Sequence, residues 1–166
     1  FHENTGGWFW WGAATTDKET YRALFQYTQD YLASKGVHNF IYVYSPNGPL
    51  TSEEEYMDRY PGDDCVDIVA FDYYDDYNTY PAEYSGEFVD NLKKTCQVVK
   101  NIADAKGKVA AISETGVRVM KADGSDNEGI LVKGNPIAGH NWYKQVNQVA
   151  VDTGMPYFLL WANFGD

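Results

Sequence analysis

Four short apolar runs, rich in β-branched and aromatic residues, constrain the fold of this chain more than any other feature. They cover residues 37–44, 66–74, 109–113 and 157–164. None of them alternates cleanly between apolar and polar residues, which is typical of strands that are buried on both faces. Because the gaps between their starts are long enough for a helix, the spacing predicts a parallel sheet with helical crossovers.

Helical patterns fill the gaps between these runs. Residues 16–19 and 52–55 both have the form of a capping box, and long apolar stripes with a period near 3.6 cover residues 88–103 and 143–150. The four predicted helices are each followed by a residue that stops a helix: Gly36, Pro61, Gly107 and Gly154.

The number of strands bears on the architecture. A complete (β/α)8 barrel needs about 250 residues, whereas this chain has 166 residues, four clear strands and the end of one more strand at Phe1. We therefore expect the C-terminal portion of a barrel, forming one domain over residues 1–166. A small doubly wound sheet is the alternative, and it is less favoured because no glycine-rich fingerprint follows any strand.

Charge and composition exclude several classes of function. The chain has 13 Lys and Arg against 24 Asp and Glu, a net charge of −11, which argues against nucleic-acid binding and against anionic membrane surfaces. No apolar run approaches the ~18 residues of a membrane span. Aromatic residues make up 16 % of the chain, and aromatics beside polar groups often bind flat, amphipathic ligands.

Cysteines and a leader sequence give little information. Cys65 and Cys96 lack CxxC spacing, which excludes a zinc or thioredoxin-like motif. A disulfide between them is possible, although buried free thiols are common. No signal peptide is visible, but the chain opens at Phe1 within a motif. The sequence therefore does not determine the cellular compartment of the protein.

Only three acidic residues stand where parallel α/β folds place their functional groups, at the C-terminal ends of strands. Glu114 directly follows the run 109–113, Asp72 lies near the end of the run 66–74, and Glu3 follows the strand that we expect to end at Phe1. Two glutamates across a cleft, with tryptophans nearby, suggest glycoside hydrolysis. The alternative for Glu114 is a buried acid that backbone amides satisfy.

Competing motifs fail on inspection. His2 and Glu3 could begin HExxH, but Gly6 stands in place of the second histidine. The acidic loop 123–127 resembles the opening of an EF-hand, but Glu128 replaces the required glycine. Since neither a GxSxG elbow nor a Walker A motif is present, we expect no metal and no cofactor.

Several segments of the chain together resemble glycoside hydrolase family 26, the β-mannanases. They are, in order, FHENTGGWFWWG (1–12), VHNFIYVYSPNG (37–48), EEEYMDRYPGDDCVDIVAFDYY (53–74), ISETG (112–116) and LLWANF (159–164). The resemblance implies a (β/α)8 barrel, of which this chain covers roughly the end of strand 4 through strand 8, and it implies a retaining mechanism.

The resemblance also implies roles for individual residues. Glu3 matches the acid/base at the end of strand 4, and Glu114 matches the nucleophile at the end of strand 7. The implied substrate-binding residues are His2 before the acid, Trp8 beside the scissile bond, Asp72 and Tyr74 as the strand-6 pair, and Trp161 as the floor of the −1 sugar site. Ala162 stands where some family members have an arginine that holds a more distal sugar, so tight binding there is in doubt.

Other aromatic and histidine residues have more than one interpretation. Trp10 and Trp11 could pack the loop or bind sugar, Tyr73 is expected to point between the barrel and its helices, and Trp142 could be core or cleft rim. We expect His38 and His140 to be structural.

The function predicted from these observations is a secreted or cell-surface endo-1,4-β-mannanase whose partner is a β-mannan polysaccharide or oligosaccharide. The first alternative keeps the same machinery and acts on β-1,3-xylan or mixed-linkage β-glucan. The second alternative is an inactive or carbohydrate-binding barrel fragment. For a retaining enzyme we expect the carboxyl groups of Glu3 and Glu114 to lie roughly 5–5.5 Å apart.

Overall fold

The computed structural model describes residues 1–77, 87–120, 127–128 and 142–161. The elements, in chain order, are α1 (Lys18–Ser34), β1 (Val43–Tyr44), α2 (Glu53–Met57), a one-turn 3₁₀ helix (Asp63–Cys65), β2 (Ile68–Tyr77), α3 (Glu87–Lys106), β3 (Val109–Met120), β4 (Asn127–Glu128), α4 (Trp142–Thr153) and β5 (Phe158–Leu160). His140, Ala162, the loop 123–126 and the end of the predicted last strand, 162–164, lie outside the described residues.

The sheet is parallel except at one short strand. β1 pairs with β2, β2 pairs with β3, and β3 pairs with β5, all in parallel. β4, which the sequence did not predict, pairs antiparallel with the end of β3. The four predicted runs thus form the parallel part of the sheet, and helices α3 and α4 lie between successive parallel strands, as expected for part of a (β/α)8 barrel.

The predicted strand over residues 37–44 is much shorter in the structure. Only Val43 and Tyr44 join the sheet. The first backbone contact of this run with the β2 segment is at Tyr42, whose carbonyl accepts from the amides of Asp67 and Ile68. Phe40 and Ile41 remain largely exposed. β2 and β3 differ in the opposite direction, since each continues past its predicted end.

Helix starts agree with the sequence at one position and differ at another. Ser52 caps α2 as predicted, and its hydroxyl accepts from the amide of Glu55 at 3.1 Å. The cap of α1 is Asp17, one residue after the predicted Thr16, because the Asp17 carboxylate accepts from both the amide and the hydroxyl of Thr20. The charged carboxylate is a stronger acceptor for a free N–H group than a hydroxyl, and its second oxygen also holds the Thr20 side chain.

Helix α3 packs against β2, β3 and α4 and buries its apolar stripe there. The largest buried side chains of this layer include Phe71, Leu92, Val99, Ile112 and Val146. A second group of buried aromatic residues, Tyr21, Tyr44, Tyr56 and Tyr60, fills the space beside α1 and α2. Cys65 and Cys96 are free thiols, so the possible disulfide is absent. None of the helices in the described part is long and apolar enough to cross a membrane.

Candidate active site

Polar side chains from three neighbouring strands meet beside the end of β1. Asp72 on β2 pairs directly with Glu114 on β3, and Ser45 follows the last residue of β1. The N-terminal segment lies beside them, because the Glu3 amide donates to the Ser45 carbonyl at 2.8 Å. Segments that lie far apart in the sequence therefore meet at this place.

A β-bulge aims two consecutive side chains of β3 into this cluster. Phe71 pairs with Ile112, whereas the next residue, Asp72, pairs with Glu114, so Ser113 is an extra residue on β3. In a regular strand, neighbouring side chains point to opposite faces, and a bulge of this kind re-aims one of them. Ser113 and Glu114 can consequently both contact residues of the same cluster.

His2 lies between two carboxylates. Its Nδ1 atom is 2.9 Å from Oδ2 of Asp72 and 3.3 Å from Oε1 of Glu114. The hydrogen bond to Asp72 is the main cause that raises the pKa of His2, and the charges of Glu114 and Glu3 act in the same direction. These contacts favour the protonated, positively charged form of the imidazole beside Glu114.

Glu114 is held from its other side by Tyr74. The Tyr74 hydroxyl donates to Oε2 of Glu114 at 2.7 Å. Burial raises the pKa of Glu114, while the Tyr74 hydrogen bond and the charge of His2 lower it. Burial also raises the pKa of the Tyr74 hydroxyl, which therefore stays a donor.

Asp72 is the buried centre of the cluster. Its side chain has no solvent exposure, and its Oδ1 atom lies 2.8 Å from the Ser45 hydroxyl and 2.7 Å from the Ser113 hydroxyl. The two serine oxygens are 2.5 Å apart. A buried carboxylate is expected to be hydrogen-bonded, and Asp72 meets that requirement through His2 on one oxygen and the serine pair on the other.

Glu3 has a different environment from Glu114. Its backbone φ is +50°, which turns the chain sharply after the strand end. Its Oε2 atom accepts a 2.7 Å hydrogen bond from Nε1 of Trp8, whose ring is 62 % exposed. The ring packs directly over Gly6, since a Cβ atom at that position would lie 2.5 Å from it.

The aromatic loop, residues 8–11, is held in place by the contacts of Trp11. Trp11 stacks on Phe9 with ring centroids 4.3 Å apart, and its Nε1 donates to the His2 carbonyl at 2.8 Å. The buried guanidinium of Arg59 donates to the Trp11 carbonyl. Trp11 therefore packs the loop, whereas Trp10 is largely exposed and has an edge contact with Trp11.

An open cleft of about 460 Å³ lies over these groups. The residues that line it are Glu3, Trp8, Asn47, Gly48, Pro49, Asp72, Tyr73 and Tyr74. Glu114 is connected to the lining through its hydrogen bond with Tyr74. Such a volume can accommodate a small part of a larger ligand.

Trp161 lies apart from this group of contacts. Its amide donates to the Thr115 carbonyl at 3.0 Å, which places it beside β3 just beyond Glu114. Its ring is 58 % exposed and is not among the residues that line the cleft. The structure therefore brings together six of the seven sequence-predicted residues and leaves the seventh at the neighbouring strand.

The structure shows the positions of Tyr73, Trp142 and His38, which the sequence analysis did not assign to the site. Tyr73 stacks on Phe88 of α3 at 5.0 Å, as expected for a ring between sheet and helix, and it also reaches the cleft. Trp142 is core, since it is buried, stacks on Phe88 and donates to Asp75. His38 is exposed.

The ligand atoms of His2, Asp72 and Glu114 lie within 4.8 Å of one another, close enough for a metal ion. Hydrogen bonds among these residues, Tyr74 and the serines already account for their positions. The expected absence of a metal therefore stays a prediction.

Sequence reasoning missed Ser45, Ser113 and Asn47. Ser45 directly follows β1 and Ser113 is the extra residue of the β3 bulge, so their contact with Asp72 depends on strand register, which the sequence did not give. Asn47 was not identifiable either, because it enters the site through a loop whose contact with Thr5 joins segments 42 residues apart.

Comparisons with known proteins agree with this arrangement. The family described as "Glycosyl hydrolase family 26" matches residues 1–149. A mannan endo-1,4-β-mannosidase of Bifidobacterium adolescentis is 32 % identical over 171 residues, which cover 99 % of this chain and 16 % of that protein. The chain thus spans about one sixth of the length of this relative.

Solved structures that cover nearly all of the chain include two endo-β-1,4-mannanases. The catalytic domain of the Bacillus sp. JAMB-750 GH26 endo-β-1,4-mannanase has a TM-score of 0.82 and 38 % identity, covering 99 % of this chain and 40 % of that one. A modular endo-β-1,4-mannanase of Cellulomonas fimi has a TM-score of 0.79 and 33 % identity, covering 99 % and 34 %. These matches confirm the resemblance that the sequence motifs predicted.

Proposed function

Because the chain belongs to glycosyl hydrolase family 26, we propose that it carries the two catalytic acids of a retaining endo-1,4-β-mannanase. In this proposal Glu3 is the acid/base and Glu114 is the nucleophile. The observation that carries it is the placement of Glu3 in the lining of one cleft and the attachment of Glu114 to Tyr74 in the same lining. Mannan is the proposed substrate because the relatives at 32 % and 38 % identity are named for mannan hydrolysis.

The first step of the proposed reaction forms a covalent glycosyl-enzyme. Glu114 attacks the anomeric carbon while Glu3 gives its proton to the leaving glycosidic oxygen. The nucleophile must be ionised, and the Tyr74 hydroxyl and the His2 charge both favour the ionised form against burial. The hydrogen bond from Trp8 fixes the orientation of the Glu3 carboxyl group.

The second step hydrolyses this intermediate. Glu3 is now ionised and takes a proton from a water molecule, which attacks the anomeric carbon and releases Glu114. Two displacements on the same carbon restore its original configuration. The exposed ring of Trp8 offers an apolar face for a sugar beside the bond that breaks. Trp161 is proposed as the floor of the −1 site from its strand position.

The test compares three polymers on the intact protein: galactomannan, β-1,3-xylan and mixed-linkage β-glucan. We expect hydrolysis of galactomannan alone, and loss of it by Glu114→Gln and by Glu3→Gln. The matched control is Glu19→Gln, since Glu19 is an exposed acid in the first turn of α1. Cleavage of xylan or glucan without mannan would support the first alternative. Wild-type activity in Glu114→Gln would exclude the proposed nucleophile.

We also propose that the protein acts at the cell surface or after secretion. A polysaccharide is too large to cross a membrane unaided, so an enzyme that cleaves it must meet it outside the cell. Fractionation of the producing cells tests this: we expect mannanase activity in the medium or on the surface. Activity confined to the cytosol would contradict the proposal.

A further inference from the structure

We propose that Ser45 and Ser113 are positioning residues that act as a redundant pair. Together they hold one carboxylate oxygen of Asp72, so that its other oxygen stays on His2 beside Glu114. Either serine alone is sufficient, and loss of both releases Asp72. The effect on catalysis rests on the proposed function, whereas the effect on His2 does not.

The pair holds Asp72 from both neighbouring strands. Ser45 directly follows β1 and Ser113 is the extra residue of the β3 bulge, while Asp72 stands on β2 between them. The Oδ1 atom of Asp72 lies 2.8 Å from one hydroxyl and 2.7 Å from the other. The Asp72 side chain itself is fully buried.

The redundancy follows from the number of hydroxyl protons. Each serine has one proton to donate, and the 2.5 Å separation of the two oxygens places one proton between them, whichever serine is its donor. The other proton is then donated to Asp72. When either hydroxyl is removed, the remaining serine loses its competing serine acceptor. Ser113 then still has two acceptors, the Phe71 carbonyl at 3.1 Å and Oδ1 of Asp72 at 2.7 Å, and the nearer, charged Asp72 oxygen is the stronger of the two.

Removal of both serines affects His2. An aspartate carboxylate rotates easily about its last torsion, because that torsion has broad minima. Without its clamp, Asp72 turns away from His2, and His2 Nδ1 is free to move to Oε1 of Glu114, which is 3.3 Å away. The charged and titratable groups around His2 are Asp72, Glu114 and Glu3. A nucleophile that is bonded by both Tyr74 and His2 is less available for attack.

The experiment uses Ser45→Ala, Ser113→Ala and the double variant of the intact protein. We expect each single variant to lose less than about threefold in kcat, and the double variant to lose about 10- to 100-fold, as for a charged group that loses its hydrogen-bond donors. KM should change little, since neither serine lines the cleft. A double-variant loss equal to the product of the two single losses would overturn the redundancy.

A matched pair separates the hydroxyl from packing. In the Ser45→Ala background, Ser113→Thr keeps a hydroxyl and Ser113→Val has the same shape without one. We expect the threonine variant to resemble Ser45→Ala and the valine variant to resemble the double alanine variant. Equal activity of the threonine and valine variants would show that the hydroxyl has no role.

A measurement without substrate separates this inference from the proposed function. The Nδ1–H proton of His2, observed by NMR, should keep its resonance in both single variants and shift in the double variant. If mannan is not cleaved but the resonance is unchanged in both single variants and shifts in the double variant, the inference holds and the proposed function fails. If the double variant does not fold, adding Asp72→Asn should restore folding, because the amide leaves no buried charge. A triple variant that still does not fold would contradict the clamp.

Discussion

The Tyr74 hydroxyl lies 2.7 Å from Oε2 of Glu114 and connects the adjacent parallel strands β2 and β3. Asp72, rather than Tyr74, is the strand partner of Glu114. Tyr74 follows two positions later on the same face, and its longer side chain reaches back to the glutamate. The hydrogen bond favours the ionised form of Glu114 and opposes the effect of burial on its pKa.

Tyr74→Phe should therefore raise the pKa of Glu114 further and move the acid limb of kcat/KM to higher pH. Burial already raises the pKa of Glu114 above its ordinary value of 4.5. A hydrogen bond to a charged group contributes about 1.5–3 kcal/mol, and one pKa unit corresponds to about 1.4 kcal/mol, so we expect a shift of about one pH unit or more. The measurement is the pH dependence of kcat/KM on a soluble substrate.

Tyr31→Phe is the control for this shift. Tyr31 lies on the exposed face of α1, and the same hydroxyl is removed far from the cluster. An unchanged acid limb in Tyr74→Phe would mean that Glu114 does not set the limb.

His2 should make stability depend on pH. Its pKa is raised in the folded protein, chiefly by the hydrogen bond to Asp72. The protonated form is therefore favoured by folding, and its contribution is fully present below the ordinary pKa of 6.5 and is lost as pH rises through the folded value. We expect His2→Gln to lower the free energy of unfolding more at pH 5.5 than at pH 9, measured by chemical denaturation. An equal loss at both values would contradict the ion pair.

The polar cluster shows which parts of the site were predictable. Strand ends could be inferred from the apolar runs 66–74 and 109–113, and Asp72 and Glu114 followed from them because parallel strands end at one edge of the sheet. Glu3 and Trp8 were found through their motif at the start of the chain. These inferences rely on neighbours in sequence, so they required no knowledge of pairing register.

The clamp on Asp72 depends on register and was not predictable. Ser113 faces Asp72 only because β3 has one extra residue opposite β2, and a bulge leaves no clear pattern of apolar and polar residues. The same limit explains the strand over 37–44. Its composition favours a strand, but residues 37–42 make no ladder with β2, so composition overestimated its length.

Trp8 and Gly6 form a pair that connects the aromatic loop with the acid/base. Trp8→Phe keeps an apolar ring and removes the Nε1–H that donates to Glu3. We expect kcat on mannan to fall about 10-fold, as for one lost hydrogen bond to a charged group. The loss should be smaller on an aryl mannoside with an activated leaving group, because that substrate needs little protonation.

Gly6→Ala should cause a similar loss without contact with substrate or Glu3. The new Cβ atom would lie 2.5 Å from the Trp8 ring, and the exposed ring can move aside at little cost to the fold. Gly7→Ala is the matched control, since its Cβ atom would meet only Ala14, at 3.3 Å. Thermal unfolding should stay near the wild-type temperature in both variants. Full activity of Gly6→Ala would contradict the role of the Trp8 hydrogen bond.

Substitution of each glutamate by alanine should separate their roles by the product formed with azide. Glu114→Ala removes the nucleophile, so turnover should stop even on an aryl mannoside. Azide can then attack directly from the vacated face and should give the α-mannosyl azide. Glu3→Ala keeps the nucleophile, so an activated aryl mannoside should still form the glycosyl-enzyme and then stall, because no base activates water. Azide requires no base and should release the β-mannosyl azide.

NMR of the products distinguishes the two anomers. Exchanged anomers would reverse the assignment of Glu3 and Glu114, and the absence of azide products from both variants would remove the support for a retaining mechanism.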